Sequence, residues 1–323
     1  MDRIQPIKLK GTCKDYLWGG NRLRTEYHQV SGAPKIAETW LLSCHPDGPS
    51  TVVSGEESGI LFPEWLKQKG NSVLGKDCEK FPYFPLLIKL IDAKERLSIQ
   101  VHPDDAYART HEGGYGKTEM WYIVDCEPGA FLYYGFDHPI SKSEFQERIQ
   151  NNTLEQVLNR VPVHPGDVFF IEAGTLHSIG AGILIAEIQQ NSNLTYRIYD
   201  YGRRGADGKT RPLHIAKALD VTRLERPTRP TRPQGNPEQR EGYRRTLLSS
   251  CDVFTVYEME IQEAAMNADS RSFHSLLCLD GDAFLLDRGK PVFSFRKGDS
   301  VFVPAGFGGY TIKGNCRILF TAV

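Results

Sequence analysis

The sequence predicts a mainly β protein made of two related barrel-like units with a few added helices. Three observations carry this. Glycines and prolines punctuate short runs rich in branched and aromatic residues, as strands joined by tight turns require. One phrase occurs twice: "GDVFFIEAGTLHSIGAG" (166–182) and "GDSVFVPAGFGGYTIKG" (298–314) share Gly-Asp, an apolar run, Ala-Gly and a further strand-like stretch. Upstream of each copy stands a similar run, "GAFLYY" (129–134) and "DAFLLD" (282–287), so the repeat is longer than the phrase. At the common offset, His177 of the first copy is matched by Gly309 in the second.

Taken in order, "LFPEWLKQKG" (61–70) has helical spacing, and "YFPLLIKLID" (83–92), "EMWYIVD" (119–125) and "AFLYYGF" (130–136) read as strands. "ISKSEFQERIQNNTLEQVLNRV" (140–161) predicts a helix, with Ser141 or Ser143 as cap and Glu144 following. It fills the extra length between the two halves of the repeat in copy one, so it is expected to be an insertion. Two more strands follow at 167–173 and 182–190, then a short helix at 213–221. "RLERPTRPTRPQGNPEQREG" (223–242) has no apolar period and is expected to be a solvated linker, or an arginine-bearing interaction patch. The expected division is therefore 1–222 for the elaborated unit, 223–242 for the linker and 243–323 for the plain unit.

Bulk composition excludes some classes of function. A formal net charge of −1 argues against a nucleic-acid binder. Seven scattered cysteines with no C-x-x-C pair read as reduced thiols. "MDRIQPIKLK" has no apolar signal-like core, and no stretch approaches a membrane span. A cytoplasmic protein with no nucleic-acid or membrane partner is expected.

The ligand-type residues cluster in the first unit. In "LSIQVHPDD" (97–105), Gln100 and His102 are two apart and share a strand face; in "GKTEMWYI" (116–123), Lys117 and Glu119 do the same. His177 follows the repeated turn. If these strands line a barrel, Gln100, His102, Glu119 and His177 converge on a divalent metal, with nitrogen-rich coordination favouring zinc. Read singly, His177 is a hydrogen-bonded structural histidine and Glu119 a cross-strand charge; the joint spacing is what points to a metal. Arg197, downstream in "EIQQNSNLTYRIYDYGR" (187–203), either fixes an anion near the metal or pairs with Asp200. The second copy offers no ligand at Gly309, and its one histidine, His274, has no partner at ligand spacing.

The Gly-Asp…Ala-Gly phrase resembles a motif of the cupin barrel, a small antiparallel jelly roll with a metal site inside. Together, "YLWGG" (16–20), "LSIQVHPDD", "GKTEMWYI" and "AGTLHSIGAGILIAEIQQNSNLTYRIYDYGR" resemble the type I mannose-6-phosphate isomerases, most closely their short bacterial branch. The motifs span 16 to 203 in family order. The resemblance implies two cupin-type jelly-roll barrels, one zinc ion per chain and an aldose–ketose isomerase acting on a small sugar phosphate, mannose 6-phosphate. It implies His102, Glu119, His177 and Gln100 as metal ligands and Arg197 as the catalytic arginine. It further implies Lys117 in the pocket, Lys89 at the phosphate, Glu187 as proton-shuttling base and Trp18 as a wall of the cleft; as catalytic base, Lys117 and a metal-bound water stand beside Glu187 as rivals. For Glu187 to act so, burial is expected to raise its pKa toward neutrality. The large helical domain of the long forms is missing here. Two other readings stay open from the residues: a cupin dioxygenase, since two histidines and a carboxylate also hold Fe(II), and a sugar-phosphate-binding paralogue without turnover.

Overall fold

Apolar alternation along the predicted strands resolves into three antiparallel sheets in the computed structural model, which describes residues 3–205 and 208–323. The protein is mainly β, with a few short helices. Two of the sheets face one another and build the first unit. The six-stranded sheet runs Val168–Ile171, Glu119–Cys126, Ile183–Gln190, Leu86–Ala93, Glu38–Ser43, Thr12–Lys14. The five-stranded sheet runs Tyr196–Tyr199, Ile99–Val101, His177–Ile179, Phe131–Phe136, Leu158–Pro162. Trp121, Ile123, Ile183 and Ile185 of the first sheet meet Leu132, Tyr134 and Ile179 of the second in one buried cluster. Burying both faces leaves every residue of Leu86–Ala93 and Ile183–Gln190 inside and explains their apolar majority.

The third sheet is the C-terminal unit, with long strands such as His274–Asp287 and Gly308–Ala322 around its own core of Leu276, Leu285, Phe295 and Ile312. Its hydrogen bonding reaches back to the start of the chain. Ile7–Lys10 pairs with Ser300–Val303 on one side and Thr51–Val52 on the other. The largest core cluster likewise mixes Phe62, Trp65, Leu86 and Ile88 with Phe254, Phe273, Leu277 and Phe302.

The duplicated phrase is duplicated in space. Gly166 and Gly298 both have left-handed φ, 93° and 89°, as do Gly174 and Gly306, 87° and 76°. The carboxylate of Asp167 accepts from His164 N, and that of Asp299 from Arg296 N, at the same separation along the chain. Backbone bonds Gly166 N to Ile123 O and Gly298 N to Cys278 O complete equivalent turns.

The predicted helix over 140–161 is shorter. It spans Lys142–Gln150, with Ser141 Oγ accepting from Glu144 N as its cap. Asn152 at φ 53° ends the segment; a 3₁₀ turn, Leu154–Val157, and the edge strand Leu158–Pro162 follow. Asparagine tolerates the left-handed turn, and "LNRVP" finds pairing partners on Phe131–Phe136. Helices Phe62–Lys69 and Ile215–Val221 form where their spacing predicts. The 223–242 segment is irregular up to the short strand Glu238–Arg240, but it is not simply solvated. Arg223 and Arg229 both pair with Glu172, and the Pro227 ring occupies the space a side chain would need at Gly135.

Candidate metal centre and active-site cleft

Two rows of cross-strand neighbours, one on each sheet of the first unit, build the site. On the five-stranded sheet His177, Gln100 and Arg197 stand directly opposite one another on three adjacent strands. On the six-stranded sheet the row is Trp40, Lys89, Glu187, Trp121, with Glu119 two residues before Trp121 on the same face. Lys117 lies in the loop entering that strand, and His102 just beyond the end of Ile99–Val101.

At the deep end, His102, Glu119 and His177 are fully buried, with their ligand atoms all within 4.8 Å of one another. Glu119 Oε1 lies 3.7 Å from His102 Nε2 and 3.6 Å from His177 Nε2, and it accepts no hydrogen bond. His102 Nδ1 donates to the Leu194 carbonyl (2.8 Å) and His177 Nδ1 to that of Thr175 (2.9 Å), which turns both Nε2 atoms inward beside Glu119, that of His102 also within reach of Lys117 Nζ. Outer carbonyls fixing ring tautomer and orientation are what metal-bound histidines require. Tetrahedral ligands at 2.0–2.1 Å from zinc are about 3.4 Å apart, close to the spacing here. The three residues therefore fit a divalent cation. Burial, reinforced by the Lys117 charge, pushes His177 down to about 3 and His102 well below the usual histidine range, so both rings are neutral. Gln100 flanks the triad with its nitrogen 3.4 Å from His177 Nε2, while its oxygen accepts from Ser98 Oγ. A half-turn of the amide exchanges the two ends.

Next to the triad is a buried charge network. Lys117 Nζ bonds Glu119 Oε2, lies 3.0 Å from His102 Nε2 and is 3.8 Å from Glu187 Oε1. Lys89 Nζ is 3.0 Å from Glu187 and 3.7 Å from Glu38, and Trp121 Nε1 donates to Glu187 Oε2 at 2.8 Å. Burial works against a charged Glu187, but Lys117 and Lys89 outweigh it and hold the carboxyl below its usual range. The expected rise toward neutrality is thus reversed. Glu119 moves the other way, raised by burial and then by the Glu187 charge.

A cleft of about 300 Å³ opens above this network, lined by Gln100, Lys117, Lys89, Glu187, Arg197 and Trp18 among others. Trp18 is buried beside Tyr16. Arg197 donates from Nη1 to the Pro212 carbonyl, while its buried Nε has no hydrogen-bond partner among the described residues. The alternative pairing with Asp200 does not occur: that carboxylate is taken by Arg203 and Arg211. A larger groove of about 810 Å³, along Tyr83 and Tyr115 on the outside, contains none of the predicted site residues.

Sequence reasoning missed Trp121, Glu38, Arg211 and His214. Trp121 was within reach, since its spacing from Glu119 puts both on one face. Arg211 and His214 line the cleft from a segment beyond the predicted strands, and no local pattern marks them. In the C-terminal unit Gly309 occupies the place of His177, and His274 Nδ1 bonds Tyr310 Oη inside the core.

Comparison with known proteins gives concordant results. Residues 7–127 match the family described as phosphomannose isomerase type I, catalytic domain, and residues 244–323 that described as mannose-6-phosphate isomerase, cupin domain. Mannose-6-phosphate isomerase ManA of Bacillus subtilis is 36% identical over 311 residues, covering 96% of each chain. Mannose-6-phosphate isomerase of Streptococcus mutans is 36% identical over 319 residues, 98% of this chain and 97% of its own. The crystal structure of mannose 6-phosphate isomerase from Bacillus subtilis matches with a TM-score of 0.92 at 37% identity, covering 99% of this chain and 100% of that one.

Proposed function

The chain belongs to the type I mannose-6-phosphate isomerase family and is an aldose–ketose isomerase of that kind; on that premise we propose how its residues share the interconversion of mannose 6-phosphate and fructose 6-phosphate. The observation that carries the reading is the unpartnered, buried Glu119 Oε1 between two neutral imidazoles, at the floor of a cleft walled by Lys117, Glu187 and Arg197.

His102, Glu119 and His177 would hold one zinc ion, with Gln100 joining them once its amide oxygen turns inward. Bound there, zinc supplies Lewis-acid polarisation of the sugar oxygens. From the open-chain aldose, the Glu187 carboxylate takes the C2 proton and the electron pair moves onto O1, giving the enediolate. Return of that proton to C1, with transfer of the O2 hydrogen to O1, closes the ketose, so atoms and electrons balance with no other reactant. The Arg197 guanidinium, whose Nε has no partner among the described residues, stabilises the enediolate. Lys89 and Lys117 keep Glu187 ionised, the form that accepts a proton, and in doing so make it a weaker base than the near-neutral carboxylate expected from burial. Trp18 closes the wall of the cleft. In this division of labour residues 1–222 carry the chemistry and 243–323 support them. We place the enzyme in the cytoplasm, where seven unpaired thiols stay reduced.

Isomerisation of a panel of sugar 6-phosphates, with and without chelator, tests the reading. Turnover of mannose 6-phosphate that chelator abolishes and zinc restores is expected. A metal-replete protein that isomerises none of them overturns it.

A further inference from the structure

Charge is distributed unevenly along the cleft. At the floor, Lys89 and Lys117 face three carboxylates, Glu38, Glu119 and Glu187, an excess of negative charge that suits a metal cation. At the opposite wall the balance is inverted. Arg197 and Arg211 both line the cleft, and among the described residues the carboxylate paired with this group is Asp200 alone. Asp200 is buried and already neutralised by Arg203, and Arg211 meets it with Nε at 2.8 Å and Nη2 at 2.6 Å. That fork fixes the guanidinium plane and leaves Nη1 outside it. Arg197 has no carboxylate partner among the described residues. The arginine side of the cleft thus lacks an anion.

The geometry points to Arg211, fixed in place by Asp200, as the residue that grips the phosphate end of the substrate and makes the site specific for phosphorylated sugars. Guanidinium is suited to this, since it stays charged and binds phosphate oxygens through directed N–H groups. Lys89 is a poor alternative: it is buried and its charge is held by Glu187 and Glu38. The substrate would then lie with C1 and C2 by Glu187 and Arg197 and its phosphate at Arg211. The assignment rests on the isomerase reading for the identity of the sugar, but the anion site can be tested without it.

The test is Arg211→Gln in the full zinc-loaded chain, with Arg211→Lys beside it and thermal melts on both. KM for mannose 6-phosphate and the inhibition constant of inorganic phosphate should rise together by about 10- to 100-fold, the scale of a lost charge-assisted contact, with kcat within a few-fold. Arg211→Lys, which keeps the charge and loses the fork, should fall between. Arg197→Ala should lower kcat instead. If both Arg211 variants melt like the wild type yet keep KM and phosphate affinity within twofold, the assignment is overturned while the isomerase reading stands. If the wild type isomerises nothing but binds phosphate by calorimetry, and Arg211→Gln abolishes that binding, the anion site stands and the isomerase reading falls.

Discussion

At the scale of single residues, the site separates three kinds of contribution that activity measurements can tell apart. Arg197 touches none of the metal-ligating groups through a hydrogen bond or ion pair, so Arg197→Ala should cut turnover by about 10²–10³ while metal content stays normal. Glu119→Ala or His177→Ala removes a proposed ligand outright. Since outer partners alone are worth 10–100-fold in affinity, zinc and activity should be lost together, by more than about 100-fold, as atomic emission and assay will read. Asp200 is different again. Burial opposes its charge, yet Arg211 and Arg203 hold its pKa below the usual aspartate value. A carboxyl whose folded pKa is depressed stabilises the fold above its unfolded pKa, about 3.9, and loses that contribution as pH falls through the folded value. The gap in melting temperature between wild type and Asp200→Asn should therefore be full at pH 6 and shrink below about pH 4. A gap that does not change with pH would show the ion pairs contribute nothing.

At the scale of elements, the repeated turn is one device used for two ends. Gly174 and Gly306 have the same left-handed backbone, which any side chain makes costly by about 1–2 kcal/mol. Their surroundings differ. A Cβ at Gly174 would lie 2.8 Å from the Val221 carbonyl and 2.9 Å from Arg223 Cγ, whereas at Gly306 it meets nothing within 4 Å. Gly174 also bonds the backbone of His102 and of Arg223, so its turn ties together two of the proposed metal ligands and the 223–242 segment. Gly174→Ala should lower both melting temperature and zinc retention against a chelator; Gly306→Ala should lower only the former. Equal zinc retention in the two variants would remove the link between this turn and the metal site.

At the scale of the molecule, the two units are not separable beads. The strand Ile7–Lys10 completes the C-terminal sheet, and Phe302 packs against Phe62, Trp65 and Phe273 in the shared core. A chain ending at residue 222 would leave Phe62, Trp65, Leu86 and Ile88 without their partners, an apolar surface too large to stay in water. The full chain should melt in one cooperative transition, and the 1–222 fragment should not fold. Two resolved calorimetric transitions would contradict this.

Much of the candidate site was legible because its residues stand at alternate spacing on a strand or directly beside one: Gln100 with His102, Lys117 with Glu119, and His177 after a turn whose glycines announce it. Those spacings are local, so a period of two and a repeated phrase suffice to find them. The class of fold follows from the same local signals, as does the contrast between His177 and Gly309. Other features depend on groups distant in sequence. The direction of the Glu187 pKa depends on Lys89 and Lys117 arriving from two other segments, and burial alone predicts the wrong sign. The end of the 140–161 helix was decided by a strand partner at 131–136. Arg211 enters the cleft because Asp200 holds it there, and the first strand joins the last sheet because its neighbours are residues 300–302. Periodicity records which face a side chain takes; which charges meet across that face is set only when the sheets close.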